Sequence, residues 1–278
     1  MKSAFLSSTS ATAIIVTADD GGVGKTTVAV QIASFLRLHG IEPLLFQLDS
    51  KEKLAAKTGL PVHALSVSSV ASDRGDGLRV TDVIAPWYRA VTTTNESGRR
   101  YVLLEVGAAN AALFHTAVTQ FDLQEDIELL GLDVHVFVVT KAGEDSAIQT
   151  VREIKRLETN LPGASIVIVK NEVLGRPETA AEYLDDRLKK AYLGVLKKYP
   201  NIRMEKIDAR SMALYERLHV TPDVIVGWYE NDYREAIART GMKRDEAKLF
   251  VKDIAVWTAK MIEQITAVFP KLNENSDG

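Results

Sequence analysis

The sequence predicts an α/β protein, a doubly wound and mainly parallel β-sheet with helices on both faces and a helical carboxyl-terminal extension. Short β-branched runs alternate with longer helical patterns, which is the order of elements in a sheet built with crossover helices. Several of the short runs are apolar almost throughout, as expected for strands that are covered on both faces. A glycine-rich segment joins the first run to the first helical pattern.

The composition of the chain excludes several classes of protein. The chain has 278 residues, a length that suits one large α/β domain or two smaller domains. Lys and Arg number 34 and Asp and Glu 37, so the net charge is −3, and 46% of the residues are hydrophobic. These values are typical of a soluble globular protein and exclude a disordered chain, collagen and a uniformly basic nucleic-acid coat. With no cysteine, disulfides, thiolate metal sites and a catalytic thiol are excluded, and a reducing compartment fits.

The amino-terminal segment predicts a first strand rather than a signal peptide. Its apolar core, Ile14-Ile15-Val16, is short and runs directly into Asp19-Asp20. No segment of the chain approaches the roughly 18 uninterrupted apolar residues of a membrane span. We therefore expect a cytoplasmic protein that does not insert into a membrane.

The remaining elements follow in order along the chain. The predicted strands are Ala13–Thr17, Leu44–Leu48, Tyr101–Val106, Val134–Val139 and Ile166–Val169, with Ile202–Ile207 as a sixth candidate. The first helix is expected to begin near Lys25 and to stop at Gly40, burying Val28, Ile32, Phe35 and Leu36. Two polar stretches, Ser66–Gly77 and Thr92–Arg100, are typical of exposed loops.

Two later stretches have helical periodicity. From Glu178 to Tyr199 the pattern predicts one helix, and the segment from Arg187 to Lys206 holds seven basic residues against one acidic. Such a face contacts the phosphates of DNA in some proteins and is a solvated helix face in many more. The last long helix places Phe250, Ile254, Trp257, Met261, Ile265 and Val268 at alternating spacings of three and four. Because Asn273–Gly278 holds two acids and no base, we expect the helix to pack on the domain or on a partner rather than on anionic lipid.

The segment Gly21-Gly22-Val23-Gly24-Lys25-Thr26-Thr27 carries the strongest functional signal. It lies between a predicted strand and a predicted helix, where glycines turn backbone N–H groups toward phosphate oxygens. Lys25 would reach the β- and γ-phosphates of a nucleotide, and the Thr26 hydroxyl would bind Mg²⁺. The general pattern opens with glycine six residues before the lysine, a position that Asp19 occupies here.

On these residues the chain resembles the ParA/MinD group of deviant Walker ATPases, whose loop reads Lys-Gly-Gly-Val-Gly-Lys-Thr-Thr. The match covers Gly21–Thr27 and stops at the family's first lysine, where this chain has Asp20. In the family that lysine reaches across a nucleotide-sandwich homodimer to the partner's phosphates. The resemblance implies a P-loop NTPase fold, binding of ATP or ADP with Mg²⁺, and a nucleotide-dependent homodimer. An aspartate at this place repels phosphate, which argues against ATP-driven dimerisation and hydrolysis.

Two acids at strand ends are candidate metal and water ligands. Asp49, after the second strand, matches the family's acid implicated in activating water, while Gln47 replaces the first acid of that motif. A helix amino-terminal cap is the alternative role for Asp49. Glu105, on the third strand, stands where the family has the aspartate that contacts Mg²⁺ through water. A purely structural acid at a strand end is the alternative for Glu105.

The resemblance also implies residues that line the nucleobase. Asn171 matches the strand-terminal asparagine that binds the adenine edge, although asparagine is also common in turns. Asp208 and Arg210 lie in a segment that resembles the family's late base-lining loop. The resemblance extends from Ile14 to Pro222, so we expect a nucleotide-binding domain over residues 1–225 and a helical extension over 226–278.

The sequence is compatible with three functions. The first is a ParA/MinD-like ATPase switch in plasmid partition, conjugative transfer or positioning of cellular cargo, with DNA or a protein as partner. The second is an enzyme that activates a carboxylate with ATP, as dethiobiotin synthetase and cobyrinate amide synthase do; their loops carry an aspartate where Asp20 stands. The third is a scaffold that binds nucleotide without hydrolysis. Lys51 and Arg99 are candidates to replace the missing lysine.

Overall fold

A seven-stranded parallel sheet forms the centre of the molecule. The computed structural model describes residues 11–49, 51–66, 79–93 and 100–269. The strands are β1 (Thr12–Thr17), β2 (Leu44–Leu48), β3 (Val62–Ala64), β4 (Tyr101–Val106), β5 (Asp133–Lys141), β6 (Ser165–Asn171) and β7 (Asn201–Met204). Their order is β3-β2-β4-β1-β5-β6-β7, and every neighbouring pair is parallel. This confirms the predicted doubly wound sheet.

Helices cover both faces of this sheet. They are α1 (Lys25–Leu38), α2 (Lys53–Thr58), α3 (Val80–Thr92), α4 (Ala111–Gln120), α5 (Leu123–Leu130), α6 (Glu144–Asn160), α7 (Asp186–Lys198), α8 (Ala209–Tyr215), α9 (Pro222–Gly227), α10 (Arg234–Thr240) and α11 (Arg244–Val268). Three short 3₁₀ turns are Ala108–Asn110, Glu172–Leu174 and Pro177–Glu182. No helix in the described ranges is long and apolar enough to cross a membrane.

Successive side chains of each strand point to opposite faces of the sheet, so the core has two layers, one on each face. On β1, Ile14 and Val16 pack with α1 and α11, whereas Ala13 and Ile15 pack with α3, α4 and α6 on the opposite face. All six residues of β1 are buried, because helices cover the strand on both sides. The predicted buried stripe of α1 is confirmed: Val28, Ile32, Phe35 and Leu36 are each at most 1% exposed.

The structure corrects three expectations about elements. The edge strand β3 was not predicted, because its three residues are too few to show a pattern and two of them are exposed. Strand β7 ends at Met204 rather than Ile207. The single helix expected over Glu178–Tyr199 is divided: a 3₁₀ turn precedes α7, which begins only where Asp185 accepts the Leu188 N–H at 2.8 Å as its cap.

The two predicted loops fall largely outside the described residues. Positions 67–77 of the first and 94–99 of the second are not described, so Arg99 is not placed. Thr92, which was expected to open the second loop, is the last residue of α3.

The carboxyl-terminal helix α11 packs on the sheet layer that contains α1. Five of its predicted apolar residues are buried in that layer: Phe250, Ile254, Trp257, Met261 and Ile265. The indole N–H of Trp257 donates to the backbone oxygen of Glu205 at 3.1 Å, just beyond β7. Helix α9 spans position 225, so the division of the chain at that residue stays a prediction.

Candidate functional site

The site lies where the sheet order reverses around β1. Strand β1 is flanked by β4 and β5, whose connections leave in opposite directions, so a crevice opens at the carboxyl ends of the strands. The segment Ala18–Gly24 joins β1 to α1 at this crevice. The ends of β2 and β4 bring Asp49 and Glu105 to the same edge.

Glycine is required in this loop by backbone geometry. Gly22 and Gly24 have φ values of +67° and +98°, in the left-handed region that side chains disfavour. A Cβ atom on Gly24 would also lie 2.6 Å from the side-chain nitrogen of Asn171. The loop therefore exposes backbone rather than side chains at the start of α1, which is the arrangement that binds anions.

Lys25 folds back over the loop that precedes it. Its ammonium group donates to the backbone oxygens of Ala18 at 3.2 Å and Asp20 at 2.7 Å, and the residue is 7% exposed. Burial lowers the pKa of Lys25, while the nearby carboxylates of Glu105 and Asp20 oppose that shift. The ammonium group is thus held at the centre of the loop by backbone oxygens, and it makes no short contact with a carboxylate of the described residues.

A chain of hydrogen bonds joins Thr26 to β4 and β2. The Thr26 hydroxyl donates to one oxygen of Glu105 at 2.5 Å, and the Gln47 amide donates to the other oxygen at 2.9 Å. The Gln47 oxygen in turn accepts the Leu54 N–H at 3.2 Å. Burial raises the pKa of Glu105, although the Thr26 hydrogen bond and Lys25 oppose the rise. Gln47, which replaces an acid of the family's motif, therefore holds Glu105 together with Thr26.

Asp49 packs on the turn that follows β4. A Cβ atom on Gly107 would lie 2.8 Å from the Asp49 carboxylate, so only glycine permits this approach. The same carboxylate accepts the backbone N–H of Lys51 at 3.2 Å, the local contact of a turn. Among the residues described, no cluster of three His, Cys, Asp or Glu side chains could hold a metal alone. A cation here would need Thr26 and ligand oxygens as well.

The predicted base-binding residues make contacts within the protein. Asn171 donates its amide to the backbone oxygen of Val23 at 2.8 Å and accepts the Val173 N–H at 3.0 Å. Asp208 caps α8 by accepting the Arg210 N–H at 2.9 Å, with Ser211 as its second donor at 3.1 Å. The Arg210 side chain turns outward to Glu246, at 2.7 Å. Of these three residues, only Asn171 lies beside the loop.

A cavity of about 370 Å³ adjoins the loop on the side of β7. Gly22, Gly24, Thr27 and Asn171 form its loop side. Its apolar wall is built from Met204, Ile207, Met212 and Trp257, and Glu205, Lys206 and Glu216 add charged groups. The sequence analysis did not assign Met204 or Trp257 to the site, because they reach it only through the packing of β7 and α11.

Both aspartates at the start of the loop are paired with cations from later elements. Asp19 lies 3.1 Å from the Arg156 guanidinium and 3.7 Å from that of Arg152, both on α6. Asp20 lies 3.6 Å from the ammonium group of Lys141, at the end of β5. Neither pairing has a local sequence signal, because more than 100 residues separate the partners.

The basic helix α7 lies away from this crevice. Arg187, Lys190 and Lys197 are exposed, but the Lys198 ammonium group donates to Glu158 of α6 at 2.5 Å. That hydrogen bond raises the pKa of Lys198. Lys198 and Arg203, which lies 2.9 Å from Glu172, are therefore used within the protein, and DNA contact stays a prediction.

Comparison with known proteins shows which family the chain matches. Residues 14–196 match the family model described as the CobQ/CobB/MinD/ParA nucleotide binding domain. Among solved structures, the MinC:MinD cell division protein complex of Aquifex aeolicus is similar, with a TM-score of 0.38 and 15% identity. That likeness covers 78% of this chain and 88% of the other. No curated protein sequence gives a significant match.

Proposed function

Because the chain belongs to the CobQ/CobB/MinD/ParA nucleotide-binding family, we propose that it binds Mg-ATP at Gly21–Thr27 and acts as a ParA/MinD-like switch. One observation carries the proposal: the Lys25 ammonium group is buried at the centre of a glycine loop, held by two backbone oxygens of that loop. This arrangement offers a cation and the backbone N–H groups of a glycine loop to a polyphosphate. The adjoining cavity has room for the nucleoside.

Each site residue has a role in this proposal. Lys25 binds the β- and γ-phosphates of ATP or ADP, with the backbone of Gly21, Gly22, Val23 and Gly24 and the Thr27 side chain around them. Thr26, Asp49 and Glu105 would hold Mg²⁺, which neutralises phosphate charge when it is bound. Asp49 would orient water, a role supported by its position directly after β2.

Asn171 supports the loop rather than the base edge in this proposal. Its amide is hydrogen-bonded to Val23 within the loop, which leaves the methionines and Trp257 as the surfaces against the base. Asp208 and Arg210 act indirectly, by beginning α8 and by joining it to α11.

We further propose a cytoplasmic switch that changes its affinity for a partner with the bound nucleotide. Plasmid partition, conjugative transfer and the positioning of cellular cargo are settings that use such switches, with DNA, a protein or a second copy of the chain as partner. A scaffold that binds nucleotide without hydrolysis is the second candidate. It is favoured by Asp20, whose carboxylate stands at the mouth of the loop.

Nucleotide affinity and molecular mass test this proposal together. Mg-ATP affinity is measured by calorimetry for the wild type, for Lys25→Met and for Lys155→Met, a matched change at an exposed lysine of α6. Lys25→Met should weaken ATP binding at least tenfold, since a charge-assisted hydrogen bond contributes about 1.5–3 kcal/mol. Lys155→Met should bind as the wild type does. Absence of ATP binding by the wild type would overturn the proposal.

Light scattering then separates the two candidates. A dimer with Mg-ATP and a monomer with Mg-ADP is the result expected of a switch. An unchanged mass, together with bound but unhydrolysed ATP, would assign the chain to the scaffold class instead.

A further inference from the structure

A second lysine, Lys141, lies beside the start of the glycine loop Gly21–Thr27. We propose that Lys141 binds the terminal phosphates of the nucleotide held by its own chain, and that Asp20 is its counter-ion when no nucleotide is bound. This inference rests on the proposed function, because it requires a nucleotide in the loop. It assigns to Lys141 a role that neither the loop motif nor the description of the matched family names.

The sheet register places this lysine. Strands β1 and β5 are parallel neighbours, and their pairing runs from Thr12 with Asp133 to Thr17 with Val138. Continued for three residues, the same register sets Lys141 level with Asp20. Strand β1 has already turned into the loop at that point, whereas β5 continues to Lys141. The lysine therefore extends beside the loop rather than beside a strand.

The contacts of Lys141 are long and leave it able to move. Its ammonium group lies 3.4 Å from the backbone oxygen of Gly21 and 3.6 Å from the carboxylate of Asp20. At the end of the next strand, Lys170 lies only 2.7 Å from Glu178, in a short ion pair. The side chain of Lys141 is 22% exposed, so it can turn toward a ligand in the crevice.

Lys141 and Lys25 both contact Asp20, the residue directly before the glycine loop. Lys25 donates to the Asp20 backbone oxygen, and Lys141 faces the Asp20 carboxylate. Because Lys25 is the residue directed at the β- and γ-phosphates, Lys141 stands at the same end of the polyphosphate. We therefore expect it to act more strongly on ATP than on ADP.

Electrostatics explains why such a cation is needed. The carboxylate of Asp20 would repel an entering polyphosphate, and the Lys141 ammonium group neutralises that charge at rest. A phosphate oxygen offers a stronger partner than a carboxylate 3.6 Å away, since charge-assisted hydrogen bonds form at about 2.7–2.9 Å. Binding would therefore move Lys141 from Asp20 to the phosphate.

The test compares two lysines at neighbouring strand ends. Mg-ATP and Mg-ADP affinities are measured by calorimetry for the wild type, Lys141→Met, Lys141→Arg and the matched control Lys170→Met. Lys141→Met should weaken ATP binding about tenfold and ADP binding less, as loss of one charged contact predicts. Lys141→Arg should retain most of the ATP affinity because it keeps the charge, and Lys170→Met should leave both affinities unchanged.

Salt dependence gives a readout that a merely structural role would not change. ATP binding by Lys141→Met should fall less steeply between 0.05 and 0.5 M salt, about the range over which surface charges become screened. If the wild type and Lys141→Met bind ATP equally and with equal salt dependence, the inference is wrong while the proposed function stands. If the wild type binds no ATP, both are wrong.

Discussion

The hydroxyl of Thr26 donates to the carboxylate of Glu105 at 2.5 Å, and this bond joins the first turn of α1 to the end of β4. Glu105 is only 2% exposed, and its second oxygen accepts from Gln47 on β2. One buried carboxylate thus connects the loop after β1 with two neighbouring strands. The charge of Glu105 should therefore affect both folding stability and metal binding.

Glu105→Gln should stabilise the nucleotide-free protein at neutral pH. Burial raises the pKa of Glu105 above its ordinary value of 4.5, so the folded state favours the uncharged acid. Below pH 4.5 the Glu105 carboxyl is protonated in both the folded and the unfolded state, so its ionisation costs no stability. Folding stability is lost as the pH rises from there through the folded-state pKa. We expect the variant to melt about 2–4 °C higher at pH 7, as about 1 kcal/mol would produce, and no higher near pH 4.

Glu158→Gln is the matched control for this measurement. The hydrogen bond from Lys198 lowers the pKa of Glu158, so its charge stabilises the folded state and the amide should not raise the melting temperature. Glu105→Gln should also weaken the dependence of ATP binding on Mg²⁺. Equal melting curves for Glu105→Gln and wild type across the pH range would contradict the assigned effect of burial.

Asn171→Asp should weaken phosphate binding rather than change the preference among bases. The aspartate cannot donate to the Val23 backbone oxygen, so the loop loses a buried contact of about 1 kcal/mol and gains a repelling charge. We expect ATP, GTP and inorganic tripolyphosphate to lose affinity by similar factors in competition calorimetry. If only the ratio of ATP to GTP affinity changes, Asn171 reads the base edge as the family resemblance implies.

The fold was largely predictable because its signals are local. Strands such as Leu44–Leu48 and Tyr101–Val106 are apolar runs buried on both faces, and their bounds agree with the structure. The start of α1 at Lys25 follows from the glycine loop before it. Strand β3 and the break before α7 were missed, since one depends on pairing at a sheet edge and the other on a single capping aspartate.

The site was predictable only where it is continuous in sequence. The loop residues and the two acids at strand ends were predicted as candidates, and the structure brings Thr26 and Glu105 into contact. Lys141 was not predicted to lie beside the loop, because β5 extends two residues beyond its predicted end. Trp257 looked like an ordinary core residue of α11, and only the three-dimensional packing places its ring on the cavity.

Trp257→Phe should separate binding of the base from binding of the phosphates. The Trp257 ring lines the cavity beside the loop and its N–H is fixed by the Glu205 backbone oxygen, so the smaller ring removes both area and an anchor. We expect ATP affinity to fall about three- to tenfold, as loss of a base–aromatic contact predicts, with tripolyphosphate affinity unchanged.

Tryptophan fluorescence gives an independent readout of the same contact. ATP should change the emission of the wild type and of the control Trp87→Phe, whose ring lies in the opposite core layer. The change should be absent in Trp257→Phe. An ATP response that persists in Trp257→Phe would place the base elsewhere.

The buried acid beneath the loop should make His115 important for stability. Glu153 on α6 is fully buried, and its carboxylate accepts the Thr17 hydroxyl at 2.8 Å and lies 3.0 Å from His115 of α4. His115→Ala leaves that carboxylate with the Thr17 hydroxyl and the more distant Arg156 guanidinium, at 3.9 Å, which should lower the free energy of unfolding by about 2 kcal/mol in urea denaturation. Glu153→Gln in the same background should recover part of the loss, because a neutral amide costs less to bury.

The exposed residue His63 is the control, and His63→Ala should cost less than about 1 kcal/mol. Equal losses for the two alanine variants would mean that the Glu153 carboxylate does not depend on His115.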